Sequence, residues 1–207
     1  MNIIYLGTFR LPNYDAAAAR VLGVAKALRE SGHRVSFISW GGRYQPEDKA
    51  MDGVYRTSGF QYIITNELDA GVNFRTKLKG VLSRGRVTKQ LLNNWPEKID
   101  VIITYNGSLI YWLLKFCKRN GIKLINDMTE WYSYAEQRPA EWIPYAYNML
   151  VVQKRVANKI VISSYLNRYY SKTHNVIVPA TSDGEEAKWC QKLDWNWRIW
   201  NSAFGVR

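Results

Sequence analysis

Two short apolar runs, NIIYL at residues 2–6 and VSFISW at residues 35–40, bracket an Ala-rich stretch at 16–30. Within that stretch Ala18, Val21, Leu22, Ala25 and Leu28 recur at three- and four-residue steps, the spacing of one face of an amphipathic helix. Asp15 stands where a helix N-cap accepts from the first turn, and Gly32 where a left-handed residue ends one. His33 and Arg34 then turn the chain into the second run. Neighbouring strands joined through a helix run parallel, because the crossover returns the chain to the end it left. This strand–helix–strand unit therefore constrains everything after it: a parallel sheet has to be covered by helices on both faces.

The rest of the chain continues the alternation. Residues 41–58 read as loop, QYIIT (61–65) as a third strand, IDVIIT (99–104) as a fourth and KLIND (123–127) as a fifth. KIVIS (159–163) and NVIVP (175–179) read as the last two. Helices are expected over 108–119, closed by Asn120-Gly121, and over 145–157. Residues 72–95 place Phe74, Leu78, Val81, Leu82, Leu91, Leu92 and Trp95 near helical spacing, interrupted by Gly80 and Gly85. The expected fold is α/β: a doubly wound, mostly parallel, Rossmann-like sheet over residues 1–182 with helices on both faces. Residues 183–207 differ in character, carrying Trp189, Trp195, Trp197 and Trp200 without clean periodicity. That tail has two readings, a helix docked on the sheet or a truncated and disordered end.

Charge narrows the partners. Twenty-nine Lys and Arg against 17 Asp and Glu leave a formal charge of +12. Such an excess favours phosphates, acidic glycans, nucleic acid or an anionic membrane. It concentrates between Ala70 and Pro96, where Arg75, Lys77, Lys79, Arg84, Arg86 and Lys89 meet no acidic residue. The stretch reads either as a docking face for an anionic membrane surface or as a solvated helix face. A nucleic-acid partner is not expected, because no helix-turn-helix, zinc-finger or RNP-like motif accompanies the charge. Two cysteines, Cys117 and Cys190, exclude a disulfide-dense scaffold and a four-thiolate zinc site, and with His33 and His174 far apart no metal is expected. Cys117 lies among Leu113, Leu114 and Phe116 and reads as a buried, inert thiol; both histidines read as structural. No apolar run is long enough to span a bilayer, and no basic leader precedes the first one. The expected location is the cytoplasm, peripheral at the inner membrane face if the basic stretch docks.

In an open parallel sheet, ligands sit beyond the carboxyl ends of the strands. That selects the loops at 7–15, 104–108, 127–134 and 163–165. A dinucleotide fingerprint needs three glycines after the first strand and an acidic residue ending the second. Only Gly7 opens the first loop, and the second strand ends Ser39-Trp40-Gly41-Gly42, so no nicotinamide cofactor is expected. No P-loop and no G-x-S-x-G elbow is present. Gly7 lets the backbone come close to a ligand or merely turns it. The helix opening at Ala16 to Ala19 could present N–H groups to a phosphate or a sugar hydroxyl. Asn106, Ser163 and Ser164 at the other strand ends are ligand contacts or turn and cap hydrogen-bonders. Asp127 and Glu130 form a carboxylate pair that does acid/base work where the surroundings separate their pKa values. Otherwise Asp127 caps a turn and Glu130 is solvated or paired with an arginine.

Three segments carry a resemblance: NIIYLGTFRLPNYDAAAARVLGVAKALRESGHRVSFIS, DVIITYNG with KLINDMTEWYSY, and NKIVISSYLNRYYSKTHNVIVPATSD. In order and spacing they resemble the N-terminal domain of family-four glycosyltransferases, enzymes of two-domain GT-B architecture, over about residues 1–185. The resemblance implies retaining transfer of a hexosyl group from a nucleotide-sugar co-substrate, with no other cofactor and no metal. It implies that this domain holds a saccharide or lipid-linked acceptor, as in surface polysaccharide or glycolipid synthesis. A C-terminal domain would hold the donor, with a basic pair at its phosphates and a spaced glutamate pair. Gly7 and Thr8 match the loop that approaches the donor phosphate and the acceptor, with Arg10, Asn13 and Arg20 nearby. Asp127 and Glu130 match polar positions at the mouth of the cleft. After Asp183 the resemblance stops, and the donor domain is expected to be missing. The expectation is half an enzyme, inactive alone or completed by a donor-domain chain in trans. The alternative is a non-catalytic α/β module that binds a phosphorylated or saccharide ligand.

Overall fold

A computed structural model describes residues 1–12, 15–67, 85–107, 109–129 and 146–179. The chain divides into two units, Met1–Ile102 and Ile103–Arg207. The first holds β1 (Asn2–Leu11), α1 (Ala16–Glu30), β2 (Arg34–Gly42), β3 (Arg56–Thr57), β4 (Phe60–Ile64) and α2 (Arg86–Asn93). Its strands lie in the order β3-β4-β2-β1. β1 with β2 and β2 with β4 are parallel; β3 with β4 is an antiparallel hairpin. β5 (Val101–Tyr105) carries the chain across the division. The second unit adds α3 (Ile110–Asn120), β6 (Lys123–Met128), β7 (Asn158–Val161), α4 (Ser164–Tyr169) and β8 (His174–Ile177). Its strands follow β5-β6-β7-β8, with β6–β7 and β7–β8 parallel. The fold is the expected one, an α/β, mostly parallel, Rossmann-like sheet with helices.

α1 forms as its sequence dictates. Ala18, Val21, Leu22, Ala25 and Leu28 are all buried, and Asp15 Oδ1 accepts from Ala18 N–H at 2.7 Å. Gly32 adopts φ 79°, and His33 N–H reaches back to Leu28 O at 3.1 Å, closing the helix in a Schellman turn. α3 ends the same way, with Gly121 at φ 66° and Ile122 N–H donating to Cys117 O at 2.9 Å. One face of the first sheet carries an aromatic core. Phe37 packs on Tyr5, Phe9 and Phe60 with ring centroids 5.7–6.0 Å apart. In the second unit Met128, Met149, Val161, Leu166 and Tyr170 form a buried cluster.

Three elements differ from the sequence expectation. β1 does not stop at residue 6 but runs to Leu11. The ladder with β2 breaks after the pair Gly7–Ser39, then resumes at Arg10–Gly41 and Leu11–Gly42. The fully buried Ser39 fills the break: Leu11 N–H donates to its Oγ (3.3 Å), which lies within donating distance of Phe9 O (2.8 Å) and Gly41 O (2.7 Å). A hydroxyl can serve donors and acceptors together, so the extra residue of the bulge leaves few buried backbone groups unpaired. The hairpin strand β3 lies inside the stretch read as loop, because two residues are too few to show a period. The helix expected over 145–157 is irregular, a π-helical turn at Asn148–Val152 followed by a 3-10 turn at Gln153–Arg155. Its closing carbonyls, Gln153 O and Val156 O, accept from the Lys159 amine, which no local pattern announces. The Trp-rich tail and residues 72–84 lie outside the described residues.

Gly42 has φ 109°, and a Cβ there would overlap Leu11 O and stand 2.9 Å from Leu11 N. Neither backbone atom can yield without breaking the resumed ladder. Gly42→Ala is therefore expected to cost about 3 kcal/mol or more. Gly32→Ala, with open space around its Cβ, should cost about 1 kcal/mol from the left-handed backbone alone. Urea denaturation of the two variants checks the ranking.

Candidate functional site

The carboxyl end of β1 in the first unit places the first group of candidates. Gly7 is buried at φ 147°, a backbone that side chains disfavour, and Thr8 beside it is half-buried. Both stand in the bulged strand rather than in an open loop. Arg10 is exposed, with Nη1 4.0 Å from Asp15 Oδ2. Arg20 is 5% exposed on the inner side of α1. Asp15 already occupies the Ala18 N–H, so its own carboxylate sits where an anion at the α1 N-terminus would have to sit. Asn13 lies outside the described residues.

The second unit gathers candidates at the carboxyl ends of β5, β6 and β7. Asn106, directly after β5, adopts φ 50° and donates its backbone N–H to Asp127 O at 2.8 Å. Its Oδ1 accepts from Thr129 N–H (3.1 Å) and from Thr129 Oγ1 (2.9 Å), and Thr129 Oγ1 also lies 3.1 Å from the Tyr105 hydroxyl. Asn106 thus ties the exit of β5 to the exit of β6. Asp127 is fully buried within β6, in register with Ile160 of β7, not in a loop as expected. Ser163 caps α4 by accepting from Leu166 N–H at 3.3 Å, while Ser164 is exposed at the helix's first position. Glu130 lies outside the described residues. So do Arg75, Lys77, Lys79 and Arg84 of the basic stretch; Arg86 and Lys89 fall on α2.

Below this rim lies a polar group that sequence reasoning missed. Asn126, Gln153 and Lys159 are fully buried. Asn126 Nδ2 donates to Gln153 Oε1, and Lys159 Nζ donates to Gln153 O (2.7 Å) and Val156 O. A Cβ on Gly107 would overlap Gln153 Nε2, so only glycine fits this turn at φ 75°. The available signal was Lys159 itself, a charged residue opening a strand otherwise buried on both faces. Burial pulls its pKa down from 10.5 to about 7, and a neutral amine has two N–H groups for its two carbonyls. Cys117 is buried in α3 and pushed up to about 12 by that burial, as an inert thiol requires. Burial lowers the pKa of His33 in the Schellman turn; His174 is exposed at the head of β8. Among the described residues no group of three or more His, Cys, Asp or Glu stands ready to hold a metal ion, and no helix is long and apolar enough to cross a membrane.

No family model matches the chain, and no curated protein matches it. Among solved structures the chain is similar to one described as trehalose-6-phosphate from E. coli bound with UDP-2-fluoro glucose, with a TM-score of 0.50 at 12% identity. The likeness covers 84% of this chain and 42% of that one, so the chain spans less than half the length of the protein it resembles. At that identity the likeness shows the fold alone. The shared fold is a mostly parallel, Rossmann-like α/β layer.

Two outcomes follow from these contacts. Below pH 7 the Lys159 amine is protonated in both folded and unfolded chains. Between about pH 7 and 10.5 the unfolded chain holds the proton that the folded chain has lost. Stability therefore rises with pH through that window. The rise should be absent from Lys159→Met, read as the difference in urea midpoints between the two proteins across pH 6 to about 10. Separately, Asn106→Ala should cost about 2 kcal/mol, since Thr129 N–H loses its acceptor and alanine tolerates φ 50° poorly. Asn106→Gly should cost less, because it removes the acceptor without the strain; thermal melts distinguish the two.

Proposed function

We propose that this chain is the acceptor-holding part of a retaining, nucleotide-sugar-dependent glycosyltransferase. The single observation behind the proposal is the likeness of its fold, over 84% of its length, to a GT-B structure bound with a UDP-sugar analogue. The sequence resemblance in three separate segments supports the same reading. The acceptor is a saccharide or a lipid-linked saccharide, held at the carboxyl ends of the strands, where an open parallel sheet leaves its loops free to bind.

Roles follow from chemistry. Gly7, lacking a side chain, admits a close approach by phosphate or sugar beside Thr8. Asn106, Ser163 and Ser164 offer neutral hydrogen-bonding groups suited to hydroxyls. A general base has to come within hydrogen-bond distance of the proton it removes. Asp127, enclosed in β6, is therefore assigned a positioning role, and Glu130 the polar role that the sequence resemblance gives it. The leaving diphosphate of the donor develops negative charge that preorganised donors must meet. Arg10 stands beside Asp15, and Arg20 is enclosed in α1, which leaves these cations poorly disposed to clamp a diphosphate. The donor clamp is assigned to a separate domain, in the same polypeptide or in trans.

These 207 residues alone, supplied with UDP- or GDP-sugars and a saccharide acceptor, are expected to form no product. The acceptor should nonetheless shift the amide resonances of Asn106, Thr129 and Ser163, while UDP leaves them in place. Turnover by the pure chain, or perturbation of those amides by UDP and not by saccharides, would overturn the assignment of this part to the acceptor.

A further inference from the structure

The two faces of β2 and β4 differ. On the α1 side Val35, Phe37, Phe60 and Tyr62 are all buried, as a helix-covered sheet face should be. On the other side α2 closes on the carboxyl half of β2, where Trp40 Nε1–H donates to Thr88 Oγ1 at 2.9 Å. Toward the amino ends the helix and the sheet do not meet. A pocket of about 410 Å³ opens there, entirely within the first unit. Ser36 and Gln61, paired in register on β2 and β4, form its floor beside Ile63. Gln90, Asn94 and Trp95, from the end of α2 and just past it, form its wall. The volume falls in the range of small-ligand sites.

We infer that this pocket is a binding site for a neutral oligosaccharide, separate from the acceptor rim. Among the described residues, the hydroxyl of Ser36 and the amides of Gln61, Gln90 and Asn94 have no hydrogen-bond partner. Each amide both donates and accepts, which is what a ring of hydroxyls needs, and a hydroxyl does the same. The Trp95 indole and Ile63 supply an apolar surface for the C–H face of a sugar ring. The described lining carries no net charge to attract an anion. Among the described residues the charged groups on the lining are Arg34 and Glu97, which neutralise each other at the rim, with Nη2 to Oε1 at 2.9 Å. Gln90, Leu91 and Asn94 on the lining belong to the last turn and C-cap of α2, the end of a helix that disfavours phosphate. The pocket lies toward the amino end of β2 and shares no residue with the groups to which acceptor binding is assigned.

The test is an NMR titration of the full 207-residue chain, labelled with nitrogen-15, using maltotetraose, cellotetraose and mannotetraose in turn. Inorganic phosphate and UDP serve as the anionic arms. At least one tetrasaccharide should shift the Trp95 indole N–H and the side-chain amides of Gln61, Gln90 and Asn94 saturably, in the millimolar range. Phosphate and UDP should leave them unmoved. Trp95→Ala and Gln61→Leu should each weaken binding about tenfold while the resonances of Tyr5, Phe37 and Ile102 stay in place. Should Trp95→Ala disturb those core resonances, Trp95→Phe and Gln61→Leu carry the comparison. The inference fails if none of the three sugars moves these groups, if phosphate moves them as strongly, or if the variants bind as well as the parent. Saccharide shifts confined to Asn106, Thr129 and Ser163 would also defeat it, while leaving the acceptor proposal intact.

Discussion

The first unit depends on the pairing of β1 with β2 in a place where water cannot substitute for a missing hydrogen bond. Both strands are buried along most of their length, and a buried peptide group has to find a partner inside the protein. The ladder is interrupted after Gly7 and would end there without two accommodations. Ser39 offers a hydroxyl to the backbone atoms the bulge sets free, and Gly42 leaves room for Leu11 O. A strand extended in this way brings its bulge to the sheet's carboxyl edge. Bulges recur at such edges beside binding sites because they re-aim the chain without losing the sheet.

The second unit secures its strand ends by other means. Its turns are held by side chains: Asn106 by Thr129, the start of α4 by Ser163, the irregular helix end by Lys159. These groups hold the loops on which a parallel sheet places its binding residues. Several residues singled out for their polarity at strand ends are engaged in this work. Asn106 and Ser163 each hold backbone first, and any part in recognition comes from the capacity left over.

Buried or helix-covered polar residues break the local rule in two different ways. Lys159 is satisfied internally, its amine matched to two carbonyls, and its lowered pKa follows from that enclosure. Such a group belongs to stability. Ser36 and Gln61 also lie on a sheet face that a helix approaches, yet their side chains meet open space and other unpartnered amides. Polar groups that line an open cavity and are not engaged with the protein are available to a ligand, which is why this cavity is read as a site.

Alternation of apolar runs with helical spacing was enough to define the parallel α/β class, the whole of α1 with its Asp15 cap and Gly32 stop, and the Gly121 end of α3. These features are local: the spacing, the cap and the left-handed glycine all act within a few residues of one another. The extension of β1, the burial of Asp127, the tie between Asn106 and Thr129 and the enclosure of Lys159 were not legible. Each depends on partners beyond the next helical turn, from Gln153 six residues before Lys159 to Phe9 thirty before Ser39, and no periodicity records which side chain arrives there. The polar candidates at the strand ends could be picked out from the sequence, but whether each was enclosed or exposed was settled by tertiary packing. Burial is a property of what surrounds a residue, not of the residue itself.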